Sequence, residues 1–256
     1  MVNPPRDDGQ FARWLAQRAG AELLRLRDDL GFADPGKLRD AGDRQSHELL
    51  TRDLARWRPG DAVLSEEGRD DPARLTADRV WVVDPLDGTR EFSEEGRTDW
   101  AVHVALWTRH AGLAAGAVAL PAQGRVLATD RPPPYPTGVD RRRPRLAASR
   151  TRPPAFLTAV ADELDAELVP MGSAGAKIAA VISGEVDAYL HAGGQYEWDS
   201  AAPVAVARAT GLHTCRIDGS ALRYNQVDPR LDDLLVCRPD LAERLLAAVA
   251  RHQEDR

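Results

Sequence analysis

The sequence predicts a layered α/β fold in which helices pack against two separate groups of strands. Three features of its 256 residues lead to this prediction: two helical segments open the chain, five short apolar runs follow, and the second half alternates strand and helix patterns. Consecutive strands followed by alternation favour stacked layers of sheet and helix over a single closed barrel. The length fits one large domain or two closely joined ones.

The first half begins with helical patterns and continues with strand patterns. Apolar residues recur at steps of three and four from Phe11 to Leu30, and Gly31 ends the segment, so we expect a helix over 8–30. A second helix is expected over 43–57. Short apolar runs bounded by turn residues then predict strands at 62–64, 80–83, 101–107, 113–120 and 125–128.

The second half alternates the two patterns. Strands are expected at 146–148, 167–169, 186–190 and 234–236, and helices at 154–163, 174–183, 200–209 and 240–251. Residues 131–145 contain five prolines and no periodicity, which is typical of a surface connection. We therefore expect two halves, 5–135 and 145–252, that work together as one unit.

The composition excludes several classes of protein. Asp and Glu number 40 against 34 Lys and Arg, and a chain with a formal charge of −6 is a poor generic binder of nucleic acid. The longest stretch without charged residues, 110–124, has 15 residues, fewer than the roughly 20 that a membrane span needs. The N-terminus lacks the apolar core of a signal peptide. Two cysteines suggest a reducing compartment, so we expect a cytoplasmic protein.

The most informative segment is Asp84-Pro85-Leu86-Asp87-Gly88-Thr89, which follows an apolar strand. Pro85 bends the chain and Gly88 permits a positive φ, so both carboxylates can point to one place, with the Leu86 carbonyl between them. Hard oxygen ligands of this kind suit Mg²⁺. Taken alone, the segment is explained equally well by an ordinary Asx turn.

Further acidic residues stand at comparable places. Glu66 and Glu67 follow another short strand, and Asp199 stands just ahead of the helix predicted from Ser200. Each has a simpler explanation, a solvated acidic turn for the two glutamates and a helix N-cap for Asp199. The six histidines show no paired spacing for zinc, so each is expected at the surface or in the core.

The segment Gly172-Ser173-Ala174-Gly175-Ala176-Lys177 opens a predicted helix. The first backbone N–H groups of a helix, with Lys177 about one turn later, form a suitable phosphate site. The segment lacks the G-K-[ST] ending of a Walker loop, which excludes that class of ATPase. A capped helix start is the alternative explanation. Lys177 is one of only two lysines in a chain with 32 arginines, and the other, Lys37, is expected in a solvated loop.

Taken in order, these motifs resemble the inositol monophosphatase superfamily of Mg²⁺-dependent, Li⁺-sensitive phosphatases. The resemblance covers nearly the whole chain and rests on Ser65-Glu66-Glu67, the segments 84–89 and 172–177, and Glu197-Trp198-Asp199-Ser200-Ala201-Ala202. Within the superfamily, 172–177, Ala148-Ser149-Arg150 and Leu222-Arg223-Tyr224-Asn225 are most similar to bacterial, and in particular actinobacterial, 3′(2′),5′-bisphosphate nucleotidases. Those enzymes hydrolyse 3′-phosphoadenosine 5′-phosphate (PAP) to AMP during sulfate assimilation.

The resemblance implies a five-layer α-β-α-β-α sandwich and a role for each matching residue. Two or three Mg²⁺ ions would bind to the side chains of Glu66, Asp84, Asp87 and Asp199 and to the carbonyl of Leu86. Thr89 would hydrogen-bond the attacking water, while Asp43 would orient Thr89 and accept the proton. The residues implied to contact substrate are Gly88, Thr89, Ser149, Arg150, Gly172, Ser173, Lys177 and Glu197. A monomer or homodimer is expected, with a small nucleotide or sugar phosphate as its only partner and neither nucleic acid nor membrane.

Two alternatives to PAP hydrolysis remain open at this point. The same site could act on inositol-1-phosphate or fructose-1,6-bisphosphate, and the sulfated relative of PAP is a further candidate within the same chemistry. A protein of this fold could also act as a non-catalytic regulatory partner. The acidic charge and the complete set of expected metal ligands argue against the regulatory role.

Overall fold

Seven α-helices and ten β-strands are formed by the part of the chain that the computed structural model describes, residues 3–137, 143–151 and 153–253. The helices are α1 (Asp8–Leu30), α2 (Pro35–Trp57), α3 (Thr89–Phe92), α4 (Phe156–Glu163), α5 (Ala174–Ile182), α6 (Glu197–Thr210) and α7 (Ala242–Gln253). The strands are β1 (Ala62–Ser65), β2 (Arg79–Asp87), β3 (Ala101–Thr108), β4 (Gly112–Leu120), β5 (Arg125–Ala128), β6 (Arg145–Ser149), β7 (Glu167–Met171), β8 (Ala188–Tyr196), β9 (His213–Cys215) and β10 (Arg230–Cys237).

The strands form two five-stranded sheets, one from each half of the sequence. The first sheet has the order β1-β2-β3-β4-β5, in which only β1 and β2 are parallel. The second has the order β7-β6-β8-β10-β9, with parallel pairing on both sides of β6 and antiparallel pairing on both sides of β10. This mixture matches the sequence, since hairpin-linked strands dominate the first half and helix-linked strands the second.

Each face of the first sheet is covered by helices. Trp81 and Val83 of β2 point into a core formed with α1 and α2. The alternate residues of the same strand, Val80 and Val82, point to the opposite face and pack with α5 and α6. A strand buried on both faces explains why residues 80–83 are apolar without alternation.

The second sheet is covered on both faces as well. One face contributes Tyr189 and Val236 to the core that contains α5 and α6. The other face packs Leu190 and Leu235 against α4 and α7. The layers therefore run α1/α2, first sheet, α5/α6, second sheet, α4/α7, and the five-layer α-β-α-β-α prediction is confirmed.

Several element boundaries differ from the sequence prediction. Helix α2 begins at Pro35 rather than near residue 43, because the Asp34 carboxylate accepts the Lys37 N–H and Pro35 stands at the start of the helix. Lys37 is therefore exposed in a helix rather than in a loop. Strand β9 and the four-residue helix α3 were not expected, since elements this short leave little periodicity to detect.

Two other expectations concern the halves of the chain and its compartment. The division into 5–135 and 145–252 stays a prediction, and part of the proline-rich connection, 138–142, lies outside the described residues. Both cysteines, Cys215 and Cys237, are free and buried. Among the helices of the described ranges, none combines the length and the apolar character that crossing a membrane requires.

Candidate active site

The parallel pairing of β1 and β2 places two acidic segments at one edge of the first sheet. Ser65, the last residue of β1, lies opposite Val83 of β2. The next residues along the two strands are Glu66 and Asp84, and the backbone N–H of Glu66 donates to the Val83 carbonyl at 3.4 Å. Because parallel strands end at the same edge of a sheet, Glu66 and Asp84 lie side by side although they are 18 positions apart in the sequence.

The end of β2 holds Asp84 and Asp87 in fixed orientations. The Leu86 N–H donates to Asp84 Oδ1 at 3.0 Å, and the pairing of β2 with β3 shifts register between Asp84 and Asp87. Two N–H groups at the start of α5, those of Ala174 and Gly175, donate to the Asp87 carboxylate at 3.2 and 2.6 Å. Asp87 therefore joins the first sheet to the helix layer between the sheets.

Gly88 allows the chain to turn directly from β2 into α3. Its φ is +85°, a left-handed conformation that favours glycine. The backbone N–H groups that follow belong to the first turn of α3, where they have no partner within the helix. Gly88 and Thr89 line a cavity of about 530 Å³, together with Asp87, Arg150, Gly172 and Ser173.

Asp199 comes from the second half of the chain. The sequence placed it ahead of a helix starting at Ser200, but α6 begins at Glu197, so Asp199 lies in the first turn. Its Oδ2 accepts the N–H of Tyr196 at 2.7 Å, and Tyr196 is the N-cap of α6, so the simpler explanation of Asp199 as the N-cap is wrong. Asp199 also lines a second cavity of about 420 Å³ together with Asp87.

The electrostatics show that these carboxylates crowd one another. Burial and the charges of Glu66, Asp87 and Asp199 raise the pKa of Asp84 well above its usual range. The pKa of Asp199 rises to about 7 through burial and the charge of Asp87. Glu66 is exposed overall, yet loss of solvent around its carboxyl and the charge of Asp199 raise its pKa to about 7.

A cation would relieve this repulsion. Asp84 Oδ2 is buried and makes no hydrogen bond with any described residue. Asp84, Asp87 and His103 offer ligand atoms within 4.8 Å of one another, so they can hold a metal ion. The carboxylate oxygens of Asp84 and Asp87 suit a hard divalent cation such as Mg²⁺, so these two residues fit the metal that the sequence implies.

Asp43 and Thr89 meet beside the acidic cluster. Asp43 is half-buried on α2, and Ser46, three residues later, anchors this helix by donating to the Pro85 carbonyl at 2.7 Å. The Thr89 hydroxyl lies 3.3 Å from Asp43 Oδ1 and 3.1 Å from the Leu86 carbonyl. Burial and the nearby charge of Glu67 raise the pKa of Asp43 to about 6, despite the hydrogen bond from Thr89.

Lys177 is buried and lies on the wall of the second cavity, with Tyr189, His191, Gln195 and Asp199. Its ammonium donates to the Gly172 carbonyl and lies 5.2 Å from the centre of the Tyr189 ring. Burial lowers the pKa of Lys177, although the charges of Asp87 and Glu91 oppose the shift. Ser149 lines both cavities, so it joins the region of Thr89 to the region of Lys177.

Two residues expected to contact substrate are engaged elsewhere. Both carboxylate oxygens of Glu197 accept backbone N–H groups, from Asn225 at 2.6 Å and from Gln226 at 2.8 Å, and the side chain is buried. Glu197 therefore holds the 222–226 loop, and a contact of its side chain with substrate stays a prediction. Arg150 lines the first cavity, but its guanidinium pairs with Glu91 at 2.6 Å and Glu94 at 3.1 Å.

His103 is the residue of this site that sequence reasoning missed. It lies on β3, fully buried, with Nε2 3.3 Å from Asp87 Oδ2 and Nδ1 3.0 Å from the Trp198 carbonyl. Burial opposes protonation, but the neighbouring Asp87 outweighs it and raises the pKa of His103. The signal available in the sequence was a histidine in the middle of an apolar strand, whereas the histidines were expected only at the surface or in the core.

The crowded carboxylates predict an unusual pH dependence of stability in the absence of divalent cations. Between the unfolded pKa near 4 and the folded pKa of about 6 to 7, the folded protein retains protons that the unfolded chain has released. The cluster's contribution is therefore present at low pH and lost as the pH rises through that window. We expect the melting temperature of protein in EDTA to fall by about 5 °C or more between pH 5 and pH 8.

Calorimetry across this pH range, with and without Mg²⁺, measures the effect. Mg²⁺ should raise the melting temperature more at pH 8 than at pH 5, since protons compete for the same oxygens. The Asp84→Asn variant serves as the control, because loss of one charge should flatten the dependence on pH. A melting temperature that rises with pH in EDTA would contradict this explanation.

Comparisons with known proteins agree with the geometry. The sequence profile of the inositol monophosphatase family matches residues 11–132 and 137–254. The chain is 56% identical over 239 residues to the 3′-phosphoadenosine 5′-phosphate phosphatase of Mycobacterium tuberculosis, covering 91% of this chain and 89% of the relative. The chain is also 53% identical over 252 residues to the 3′-phosphoadenosine 5′-phosphate phosphatase of Mycobacterium leprae, covering 94% of this chain and 93% of the relative. Inositol monophosphatase-II of Staphylococcus aureus superposes with a TM-score of 0.78 at 21% identity, covering 96% of this chain and 94% of that one, and shows the same fold.

Proposed function

Since the chain belongs to the inositol monophosphatase family, we propose that it is a Mg²⁺-dependent phosphatase that removes the 3′-phosphate of PAP and leaves AMP. The observation that carries the proposal is the meeting of four carboxylates, one of which, Asp87, lines both the cavity beside Thr89 and the cavity beside Lys177. The identity of 53–56% to relatives named PAP phosphatase supports the choice of substrate. The proposed setting is the cytoplasm, within sulfate assimilation.

The two cavities suit a bisphosphorylated nucleotide. Asp87 and Ser149 line both, so a substrate with its scissile phosphate near Gly88 and Thr89 would extend past Asp87 into the second cavity. That cavity, of about 420 Å³, is within the usual size of a small-molecule site. Lys177 on its wall still has two N–H donors after its bond to Gly172, enough to contact a second phosphate.

The proposed metal ligands are Glu66, Asp84, Asp87, Asp199 and the Leu86 carbonyl, which would hold two or three Mg²⁺ ions. When bound, Mg²⁺ activates water near neutral pH and stabilises negative charge on the departing oxygen. Li⁺ is proposed to inhibit by competing for these oxygens. The family resemblance implies both the number of ions and the ligand set, and the convergence of β1, β2 and α6 supports the ligand set.

The chain's own residues would orient and deprotonate the nucleophile. When the Thr89 hydroxyl donates to Asp43, its oxygen can accept a hydrogen bond from water on the opposite side. A carboxyl with a pKa of about 6 is a suitable proton acceptor at neutral pH. The Gly88 and Thr89 N–H groups would hold the phosphate oxygens, where negative charge increases in the transition state. Direct attack by water requires no phosphoenzyme.

Removing the Thr89 hydroxyl tests this arrangement. The Thr89→Val variant keeps the shape of the side chain but cannot orient water, and we expect kcat on PAP to fall by about 100-fold or more. The Thr89→Ser variant keeps the hydroxyl and should retain activity within about tenfold of the wild type. Steady-state kinetics with a melting-temperature measurement for each variant provide the test. Equal activity of the two variants would show that the hydroxyl has no part in the reaction.

The proposed hydrolysis of PAP is tested by incubating the purified protein with PAP and millimolar Mg²⁺ and identifying the products. AMP and inorganic phosphate should form in equal amounts, EDTA should stop the reaction, and Li⁺ should inhibit it. Formation of adenosine 3′-phosphate would show attack on the wrong phosphate. If PAP, its sulfated relative, inositol-1-phosphate and fructose-1,6-bisphosphate all remained intact, the regulatory role would replace the catalytic one.

A further inference from the structure

A fully buried histidine lies between the strand end that carries Asp87 and the helix that carries Asp199. His103 lies in the middle of β3, and one edge of its ring faces the Asp87 carboxylate at the end of β2, with Nε2 3.3 Å from Oδ2. On the other edge, Nδ1 lies 3.0 Å from the backbone carbonyl of Trp198 in the first turn of α6. Asp199 follows Trp198 directly, so the ring spans the gap between the strand and the helix that carry acidic residues.

The surroundings leave the ring little freedom. A Cβ atom on Gly175 of α5 would overlap Nε2, so this helix passes against the ring and only glycine fits there. The N–H of the same Gly175 donates to Asp87 Oδ2 at 2.6 Å. Asp84 Oδ2 lies 3.7 Å from Nδ1, the ring atom that also faces the Trp198 carbonyl. The imidazole is therefore enclosed by β2, α5 and α6.

The hydrogen bond between His103 and α6 can have only one donor, the imidazole Nδ1. A backbone carbonyl only accepts hydrogen bonds, so Nδ1 carries a proton and donates to Trp198. A planar ring with polar atoms on two edges keeps its two neighbours at a fixed separation, which a flexible side chain cannot do. An apolar residue of similar size would fill the space but would remove the donor to the Trp198 carbonyl and the imidazole nitrogen beside Asp87 Oδ2.

We propose that His103 is a positioning residue that holds Asp87 and the first turn of α6 in register, so that Asp87 and Asp199 face the same divalent cation. The proposal rests on the proposed metal dependence, but it concerns cation binding by the protein alone. Residues that orient metal ligands typically contribute 10- to 100-fold to metal affinity. Loss of the imidazole should therefore weaken cation binding much more than it lowers kcat at saturating Mg²⁺.

The test compares variants at position 103 by isothermal titration with Mg²⁺ in the absence of substrate. His103→Leu removes both polar contacts, and we expect Mg²⁺ affinity to fall by about 10- to 100-fold. His103→Gln places an amide where Nε2 lies and should recover part of that loss. The Mg²⁺ concentration for half-maximal activity should shift by the same factors, while kcat at saturation stays within about fivefold for His103→Gln.

Val104→Ala is the matched control, because Val104 is the next residue on β3, equally buried, and points into the opposite core. It should lower the melting temperature by removing two methyl groups but leave Mg²⁺ affinity unchanged. If His103→Leu does not fold, His103→Gln alone must show weaker Mg²⁺ binding than Val104→Ala. Affinity within twofold of the wild type in the folded position-103 variants would overturn the proposal.

The result of this Mg²⁺-binding test can be distinguished from the result of the PAP hydrolysis test. Wild-type protein that binds Mg²⁺, with weaker binding in the His103 variants, supports the positioning role even if PAP is not hydrolysed. Wild-type protein that hydrolyses PAP but shows no loss of affinity in those variants overturns the positioning role alone. Wild-type protein that binds no Mg²⁺ at all overturns it as well.

Discussion

The Asp87→Asn variant is expected to lose at least about 1000-fold in kcat with every phosphate substrate, or about 4 kcal/mol of transition-state stabilisation. Among the described residues, Asp87 is the one acidic residue that lines both cavities, and it also accepts N–H groups from α5 and faces His103. The substitution would remove the charge of a proposed metal ligand from the place where the scissile phosphate and the leaving group would meet. The defect should therefore not depend on the rest of the substrate.

The fold should tolerate this substitution. Asparagine retains one oxygen for the closer of the two N–H groups, that of Gly175 at 2.6 Å, and the Leu86 N–H donates to Asp84 rather than to Asp87. Asp78→Asn, a change of the same kind at an exposed residue paired with Arg109, is the control and should leave kcat unchanged. Kinetics at saturating Mg²⁺ with circular dichroism of both variants make the comparison. Activity of Asp87→Asn within tenfold of the wild type would exclude Asp87 as a metal ligand.

The Lys177→Ala variant is expected to separate bisphosphorylated from monophosphorylated substrates. Hydrogen bonds to a charged group contribute about 1.5–3 kcal/mol, so kcat/KM for PAP should fall by about 10- to 100-fold. For 3′-AMP, which lacks the second phosphate, the loss should be less than about threefold. The reason is position: Lys177 lies on the wall of the second cavity, one helical turn from the Asp87 contacts of α5.

Removing a buried side chain can also disturb packing, which calls for a second substitution. Lys177→Met retains most of the side-chain volume against Tyr189 but removes the charge, and it should reproduce the selective loss on PAP. Melting temperatures identify any general damage to the fold. An equal loss on PAP and 3′-AMP in both variants would show that Lys177 serves the carboxylates rather than a second phosphate.

Much of this architecture was predictable because the apolar pattern is strong. Helix α1 has the predicted bounds, and the strands of the first sheet lie within one to four residues of the predicted ones. The layers followed from the order of elements and from the family resemblance. Short elements such as β9, and the start of α2 at Pro35, depend on tertiary packing and on a cap at Asp34 that the apolar pattern does not reveal.

The candidate site was predictable where a motif fixes local geometry. Asp84 and Asp87 stand on a single strand end, and the neighbourhood of Asp43 and Thr89 followed from the resemblance. Contacts that depend on packing between distant elements were not predictable. Glu197 proved to hold the 222–226 loop through two backbone N–H groups, and His103 meets Asp87 only because β3 pairs with β2.

The surroundings of Lys177 explain why a lysine, and not an arginine, stands at this position in an arginine-rich chain. Its ammonium occupies a buried position that contacts one carbonyl and one aromatic ring, within a cavity shared with Asp199. A planar guanidinium presents five donors in a wide fork and would need more partners in that space. Lys37, the other lysine, is exposed on α2, and nothing in the structure gives it a comparable role.

The most direct test of the proposed function is the ratio of kcat/KM for PAP to kcat/KM for inositol-1-phosphate, measured with the wild-type protein at saturating Mg²⁺. A second cavity with a buried lysine favours a bisphosphorylated nucleotide, so PAP should be the better substrate by at least about tenfold, close to 1.4 kcal/mol. A rate for inositol-1-phosphate tenfold above that for PAP would contradict the assignment as a nucleotidase, and the chain would then be an inositol phosphatase.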